Sequence, residues 1–444
     1  MTSTYRIGAG TGFAGDRFEP ARILAEHGDL DALVFECLAE RTIGLAHQRM
    51  SVADGTGYDR LFLERFESIL PVLSPRTAVL TNAGAADPRG LAHALLPLLE
   101  QHPNARSRRV AAVLGDDVMA ALPPDSPIIG TGQTIAELGD RVVSANAYIG
   151  AEAAMTALEA GADVVVTGRM GDAALFAAPA AVHFGWSPDD PQKMAAPTLV
   201  GHLLECAGQL SGGYYADGDR KIVPGLATLG FPFADISSSG DAEFGKVEGT
   251  GGLLSRATIL EQLLYEIDDP ALYQTPDVTL DLRSVRIDET GSDRVRVSEG
   301  RAAHRPDRLK VSVGVRDGYL AIAGIAYAGI GALARGQLAL DIVRERWAEV
   351  HHRDPEELRF DLQGHNSLRP WYQPSVEPSE VRARISLRTF DAAAVTILHR
   401  EVEALYTNGP AGGGGVETSV KQTTGIVSTL IDRDLVHPTM EMIS

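Results

Sequence analysis

The sequence predicts an α/β protein: an N-terminal domain with a mostly parallel sheet covered by helices, followed by a smaller α+β domain. Three observations predict this. Apolar runs of about four to six residues alternate with helical segments in the first half, as in a parallel sheet covered on both faces. The second half has runs of strands followed by a helix. The length of 444 residues is more than one hydrophobic core normally supports.

The first half contains the elements of the parallel sheet in alternation. Its predicted strands are YRIGAG, DALVFE, TAVLTNAG, RRVAAVLGDD and DVVVTGR. Helical spacing of apolar residues predicts helices in EPARILAEHG, CLAERTIGLAHQRM, residues 58–72, residues 88–101, SANAYIGAEAAMTALEAGA and TLVGHLLECAGQLSGGYY. The loop-rich stretch PGLATLGFPFADISSSGDAEFG then places a boundary near residue 225, between domains of residues 1–225 and 226–444.

The second half is predicted to pair its strands locally. Strand segments are DVTLDLRSVRIDET, DRVRVSEGRA and RLKVSVGVRDGYLAIAGIAYAG, followed by a helix of about 332–350. Two more strands, ELRFDLQG and EVRARISLRT, precede a last helix. Strands grouped in this way indicate an α+β domain.

Composition restricts the class of partner. Net charge is −19, whereas binding to nucleic acid requires a basic face that displaces counterions. No apolar run approaches the ~20 residues that span a bilayer, and the N-terminus lacks the features of a signal peptide. We therefore expect a cytoplasmic protein that binds neither nucleic acid nor membrane. Its size is typical of homo-oligomers.

Polar residues follow several of the predicted parallel strands. Glu36, Asn82 and the pair Asp116-Asp117 each come at a strand's end, and Thr167 and Arg169 follow VVV. Ligands of such sheets bind at the carboxyl ends of the strands. The sequence therefore predicts a ligand site there, in which Arg169 binds a carboxylate or phosphate.

The N-terminal loop has the pattern G-x-G-x-x-G, at Gly10, Gly12 and Gly15, with Glu36 at the end of the next strand. This is the fingerprint of dinucleotide binding. Asp16 argues against it, because a carboxylate directly after Gly15 would repel a pyrophosphate at the helix terminus. A tight turn and a contact with another ligand stay open as alternatives.

Further candidates occur in a helix and in two glycine clusters. His202 and Glu205 are three residues apart and lie on one helical face, which suits a general acid and base, a metal-ligand pair or a structural hydrogen bond. Backbone N–H groups of Gly249–Gly252 or Gly412–Gly415 could bind an anion or form flexible turns. No P-loop, H-E-x-x-H, G-x-S-x-G or paired-cysteine zinc pattern is present.

Several of these segments together resemble the acyclic terpene utilisation protein A (AtuA) family. The resemblance extends over nearly the whole chain in the family's order. The motifs are GAGTGFAGDR, LVFECLAERT, TNAGAADPRG, ANAYIGAEAAMTALEAGADVVVTGRMGDAAL, HFGWSPDD, GHLLECAGQLSGG, GTGGLLSRATILEQLLYEI and LYTNGPAGGGG.

The resemblance implies a role in catabolism in which intermediates travel as coenzyme A thioesters, so such a thioester is a candidate substrate. It defines no reaction step and no cofactor, and it leaves a divalent metal open. Family members often carry an additional C-terminal ferredoxin-like segment or have a small separate protein of that kind. The present sequence ends at Ser444, shortly after its last glycine cluster, so a separate small ferredoxin-like subunit is expected.

The family motifs carry over onto a set of site residues in this sequence. Asp172, His202 and Glu205 are expected to be catalytic. The residues expected to contact substrate are Gly10, Gly12, Gly15, Asp16, Glu36, Asn82, Asn146, Thr167, Arg169, Gly412, Gly413, Gly414 and Gly415.

The function expected first is a lyase or hydratase acting on a small carboxylate or an acyl-CoA. Glu205 or Asp172 would move a proton next to a carbonyl, with His202 assisting. Two alternatives stay open. One is a non-catalytic or co-catalytic subunit of a multi-protein complex, and the other is an NAD(P)-dependent oxidoreductase that uses the N-terminal glycine loop.

Overall fold

A computed structural model describes residues 4–50, 55–369, 371 and 376–444. The chain is a mixed α/β protein that divides into two compact units. The first unit runs to Gly314 and includes Ile426–Ser444, and the second is Val315–Gly425. This division falls elsewhere than the boundary predicted near residue 225, because a strand that follows residue 225 pairs with the N-terminal strand.

The strands are β1 (Thr4–Thr11), β2 (Ala32–Phe35), β3 (Ala78–Thr81), β4 (Val110–Leu114), β5 (Val142–Ala147), β6 (Val164–Val166), β7 (Pro232–Ser237), β8 (Ala242–Lys246), β9 (Tyr273–Gln274), β10 (Thr279–Asp281), β11 (Arg286–Gly291), β12 (Arg294–Ser298), β13 (Arg301–Ala302), β14 (Arg308–Ala328), β15 (Leu358–Gln363), β16 (Glu380–Thr389), β17 (Gly414–Asp432) and β18 (Thr439–Ile443).

The α-helices are α1 (Glu19–His27), α2 (Glu40–Met50), α3 (Leu61–Ile69), α4 (Pro88–Gln101), α5 (Ile135–Leu138), α6 (Glu152–Glu159), α7 (Asp172–Phe184), α8 (Pro191–Leu204), α9 (Arg256–Leu263), α10 (Ala332–Glu349) and α11 (Ala392–Asn408).

A ten-stranded sheet forms the centre of the first unit, in the order β11-β12-β8-β7-β1-β2-β3-β6-β4-β18. The strands β1, β2, β3, β6 and β4 are parallel to one another, as the sequence predicts for the N-terminal sheet. Every residue of β2 and β6 is buried, which explains their unbroken apolar sequences. The flanking strands β7 and β18 pair antiparallel with the parallel group, so the whole sheet is mixed.

Two predicted segments differ from the structure. The helix predicted from Ser144 begins only at Glu152, because the β-branched pair Val142-Val143 starts β5 and carries the strand on to Ala147. The stretch predicted to be loop-rich contains β7, which pairs with β1, and β8, which pairs with β7. The glycine and serine residues of this stretch interrupt the apolar pattern from which a strand is predicted.

The helices α7 and α8 pack closely because of one glycine. A Cβ atom at Gly201 would lie 2.3 Å from the backbone oxygen of Ala173. Asp172 precedes Ala173 at the start of α7, and His202 follows Gly201 on α8. The close contact of the two helices therefore brings these two side chains near each other. This contact positions the site described below.

The second unit has the element order β14-α10-β15-β16-α11-β17, the β-α-β-β-α-β arrangement of ferredoxin-like folds. Its sheet has the order β15-β16-β14-β17. Both helices cover one face, where Trp347, Val343 and Leu398 pack against Ile325 and Ile385. The composition of the second half predicted strands and helices here without revealing this topology.

Candidate functional site

The polar residues at the strand ends are buried and hydrogen-bonded to one another. The Asn82 side chain donates to the Glu36 carboxylate at 2.8 Å and accepts from the Cys37 N–H at 2.7 Å. Burial raises the pKa of Glu36 well above its usual value. Thr167 is also fully buried, and its hydroxyl donates to the Gly168 carbonyl at 3.2 Å. These contacts fix the loops that follow β2, β3 and β6.

Asp116 connects the neighbouring strand end to the same loops. Its Oδ2 accepts from the Arg169 backbone N–H at 2.8 Å and from the Asn146 side chain at 3.0 Å. Asn146 Oδ1 in turn contacts His47 Nε2 at 3.0 Å. Burial raises the pKa of Asp116 to about 6. The structure thus brings together the residues that the sequence placed at strand ends, as a network behind the pocket described next.

Arg169 is fully buried, and its guanidinium group binds the protein itself. Nη1 donates to the Leu38 carbonyl at 2.6 Å, and Nη2 donates to the Met170 carbonyl at 2.5 Å and pairs with the Asp172 carboxylate. Its Cζ lies 4.4 Å from the centre of the Tyr148 ring. Arg169 therefore holds Asp172 in place, and it is not one of the residues that line the cavity described next.

A cavity of about 420 Å³ opens beside this ion pair. All its lining residues belong to the first unit. Asp172, His202 and Glu205, the three residues predicted to be catalytic, line it together. The other lining residues include Glu40, Ile129, Tyr148, Gly171, Ala173, Ala174, Tyr265, Glu266, Ile267, Tyr273, Pro276, Arg308, Leu309, Lys310 and Leu430.

His202 and Glu205 form a hydrogen-bonded pair whose geometry restricts where the protons are. His202 Nε2 lies 3.1 Å from the Leu263 carbonyl, which can only accept, so Nε2 carries a hydrogen. Nδ1 lies 3.1 Å from Glu205 Oε1. A neutral imidazole with hydrogen on Nε2 must accept at Nδ1, so Glu205 is then protonated, or else the histidine is cationic. Either way one proton lies between the two side chains.

The environment of Glu205 and His202 raises the pKa of both side chains, so the pair keeps this proton up to neutral pH. Burial raises the pKa of Glu205 to about 7, and the negative charge of Asp172 adds to the increase. Burial alone would lower the pKa of His202, but its hydrogen bond to Glu205 raises it above the usual value. Burial also raises the pKa of Asp172, and its pair with Arg169 opposes this only in part.

Sequence reasoning missed several residues of the cavity. The Tyr273 ring lies 4.9 Å from the imidazole of His202, and burial raises the pKa of its phenol well above the usual value. Glu40 accepts from Tyr148 Oη at 2.7 Å and from Lys310 Nζ at 3.0 Å. Glu40 and Tyr148 lie in the motifs LVFECLAERT and ANAY, but neither motif indicated the contact, because its three residues come from distant parts of the chain.

Groups of the protein itself contact each glycine of the N-terminal loop. Asp16 accepts a hydrogen bond from the Gly12 N–H at 2.9 Å, in the place where a pyrophosphate would need free donors. A Cβ at Gly12 would lie 2.3 Å from the Cys206 backbone, and Cβ atoms at Gly10 and Gly15 would meet the rings of Phe35 and Phe13. Close packing therefore accounts for Gly10 and Gly12, whereas the Phe13 ring beside Gly15 is 64% exposed.

The cluster Gly412–Gly415 belongs to the second unit. Gly412 and Gly415 have φ values of +72° and +60°, which favour glycine, and Gly413 lies against Tyr327. Arg335 donates to the Ala411 carbonyl at 2.8 Å and fixes the start of this turn. In the other cluster, Gly249 and Gly252 likewise have positive φ values.

Within the described residues, no group of three or more histidine, cysteine, aspartate or glutamate side chains is arranged to hold a metal ion. In the same part of the chain, no helix combines the length and the apolar character that crossing a membrane requires.

Comparison with known proteins agrees with the sequence motifs. The model of a family described as "Acyclic terpene utilisation family protein AtuA" matches residues 5–442. No curated protein and no solved structure matches the chain. The chain therefore belongs to the AtuA family.

Proposed function

We propose that this member of the AtuA family is an enzyme of the lyase or hydratase type, which moves a proton next to a carbonyl group. Its substrate would be a small carboxylate or an acyl-CoA thioester. The observation that supports this most is the Glu205–His202 pair at the cavity wall, with one shared proton and a Glu205 pKa of about 7. A group with such a pKa serves as a base or an acid at neutral pH.

The first turn of α7 supplies the second part of the proposed chemistry. Asp172, Ala173 and Ala174 line the cavity at the N-terminal end of this helix. The partial positive charge there favours negative charge on a nearby oxygen atom. A substrate carbonyl directed at this turn would gain stabilisation as an enolate oxygen develops. In the deprotonated state of the pair, the Glu205 carboxylate would then remove the α-proton, and the hydrogen bond between Glu205 and His202 Nδ1 would hold that proton.

Asp172 is suited to protonate or deprotonate the atom that leaves or adds at the β-carbon. Its side chain keeps 36% of its surface open, and Arg169 fixes its position. Two carboxyl groups in one cavity, one hydrogen-bonded to histidine and one paired with arginine, provide the two proton-transfer positions that a hydratase requires.

Arg308 and Lys310 are the lining residues that can bind an anionic part of the substrate. They replace Arg169 in this role, since the guanidinium of Arg169 is bound within the protein. Lys310 pairs with Glu40 at 3.0 Å and lies 4.9 Å from the centre of the Tyr148 ring. A carboxylate or phosphate would compete with Glu40 for this ammonium group.

Exchange of substrate hydrogen with solvent tests the proposal. The purified protein is incubated in D₂O with branched acyl-CoA thioesters and small hydroxy- and oxo-acids, and mass spectrometry detects deuterium at the α-carbon. We expect exchange on at least one compound and a loss of roughly 100-fold or more in Glu205→Gln. Glu159→Gln, at an exposed position of α6, is the control. Absence of exchange on every compound, or equal exchange in Glu205→Gln, would refute the proposal.

A further inference from the structure

The strand β17 forms an open edge of the sheet in the second unit. The strand order ends at β17, and no strand of the described residues pairs with its outer side. Residues 417–422 are all exposed, although successive side chains point to opposite faces. Val420, an apolar residue, keeps 50% of its surface open. Natural proteins usually protect long open edges of this kind, because the edge can pair with another chain.

One hydrogen bond shows which backbone groups face outward. The Val416 N–H donates to the Tyr406 hydroxyl at 3.1 Å, so it does not take part in the ladder with β14. Backbone groups alternate in direction along a strand. The N–H and C=O groups of Thr418, Val420 and Gln422 therefore point away from β14, toward the open side.

The sequence of this edge complements itself in one antiparallel register. In the segment Glu417-Thr-Ser-Val-Lys421, a twofold axis at Ser419 places Glu417 opposite Lys421 of the partner subunit. It also places Thr418 opposite Val420 of the partner subunit, so that outward-facing backbone groups meet outward-facing groups. A parallel arrangement in register would instead place like charges opposite each other, which is unfavourable.

The two charged side chains are both exposed, and Glu417 also pairs with Arg382 of its own chain. Glu417 is 78% exposed and touches Arg382 at 3.2 Å on the face away from the helices. Lys421 is exposed and has no ion-pair or hydrogen-bond partner among the described residues. Both lie on the same face of β17, because they are an even number of residues apart.

We propose that a second copy of this chain pairs with β17, in antiparallel register about a twofold axis at Ser419. The contact joins the two sheets through backbone hydrogen bonds and two symmetry-related Glu417–Lys421 ion pairs. A short strand pair is a small interface, so the dimer should dissociate on dilution.

Sedimentation velocity of the full chain over a range of concentrations tests this interface. Each single reversal, Glu417→Lys or Lys421→Glu, creates two like-charge pairs and should weaken the dimer roughly tenfold or more. The double variant Glu417→Lys/Lys421→Glu restores opposite charges in exchanged positions and should restore the dimer. Arg400→Glu reverses the charge at an exposed position of α11 and is the control, which should leave the dissociation constant of the dimer unchanged.

A cross-link provides a second readout. Ser419 would lie opposite Ser419 of the partner subunit in a non-hydrogen-bonded pair, where side chains approach most closely. Ser419→Cys should therefore form a covalent dimer on oxidation, and adding Lys421→Glu should suppress it. A wild-type monomer at every concentration, a dimer unaffected by Lys421→Glu, or a double variant that stays monomeric would overturn the proposal.

Discussion

Gly201 allows the close contact that places His202 beside the start of α7, and Gly201→Ala tests this contact. The added Cβ would lie 2.3 Å from the Ala173 oxygen and 2.8 Å from the Ala173 Cα. The first distance is about 1 Å less than the 3.4 Å at which ordinary contact begins. Since both atoms are backbone, the two helices must separate.

Two effects of opposite sign determine the expected change in stability. Alanine favours a helix over glycine by about 1 kcal/mol. Overpacking of a well-packed interior costs about 1–3 kcal/mol, and here the obstacle is backbone rather than a flexible side chain. We expect the free energy of unfolding to fall by up to about 2 kcal/mol. The rate of deuterium exchange should also fall, because His202 and Asp172 move apart.

Urea unfolding followed by circular dichroism measures this change. The slope of the free energy of unfolding against urea concentration should be the same in the variant and the wild type. Gly291→Ala is the control, since its Cβ would meet its nearest neighbour at an ordinary 3.6 Å. It should change stability by less than about 0.5 kcal/mol. If Gly201→Ala instead raises stability by about 1 kcal/mol, as an unhindered helical position would, the close contact is refuted.

Three further predictions concern the site and the N-terminal loop. Glu205 binds its proton more tightly when folded (pKa about 7) than when unfolded (about 4.5), so its contribution to stability declines as pH rises between these values. The free energy of unfolding, measured with urea at pH 5 and at pH 8, should differ between the two pH values by on the order of 3 kcal/mol less in Glu205→Gln than in the wild type. An equal difference in the two proteins would contradict this prediction. Arg169→Met leaves the Leu38 and Met170 carbonyls and the Asp172 carboxylate without their donor, so the free energy of unfolding should fall by roughly 1–3 kcal/mol in thermal unfolding; a loss below about 0.5 kcal/mol would contradict that role. NADH fluorescence should not change on adding the wild-type protein, because Asp16 occupies the loop; a saturable increase would show that a dinucleotide displaces it.

Sequence reasoning found the parts of the site that depend on local spacing. His202 and Glu205 are three residues apart on a helix, and the structure confirms that they touch. Asp172 follows a strand of the parallel sheet, and the strand ends of that sheet meet at one edge. Local patterns therefore identified three residues that line one cavity. The catalytic roles of these residues are proposals.

Sequence reasoning failed where a side chain's partners come from distant backbone. Arg169 was expected to bind an anion, but the Leu38 and Met170 carbonyls and Asp172 already satisfy it. Backbone carbonyls have no signature in a sequence. The glycine pattern around Gly12 is compatible with a ligand loop or a tight turn, whereas in the structure Gly12 accommodates the Cys206 backbone, a contact that only the folded chain reveals.

The protonation of Glu205 near neutral pH is the central claim, and carbon-13 NMR of protein labelled at the glutamate carboxyl carbon tests it most directly. Spectra recorded across pH are compared between the wild type and Glu205→Gln. We predict one resonance with a midpoint near pH 7 in the wild type that is missing in the variant. If the missing resonance instead titrates near the ordinary value of about 4.5, Glu205 is fully ionised at neutral pH and is not the acid–base group proposed.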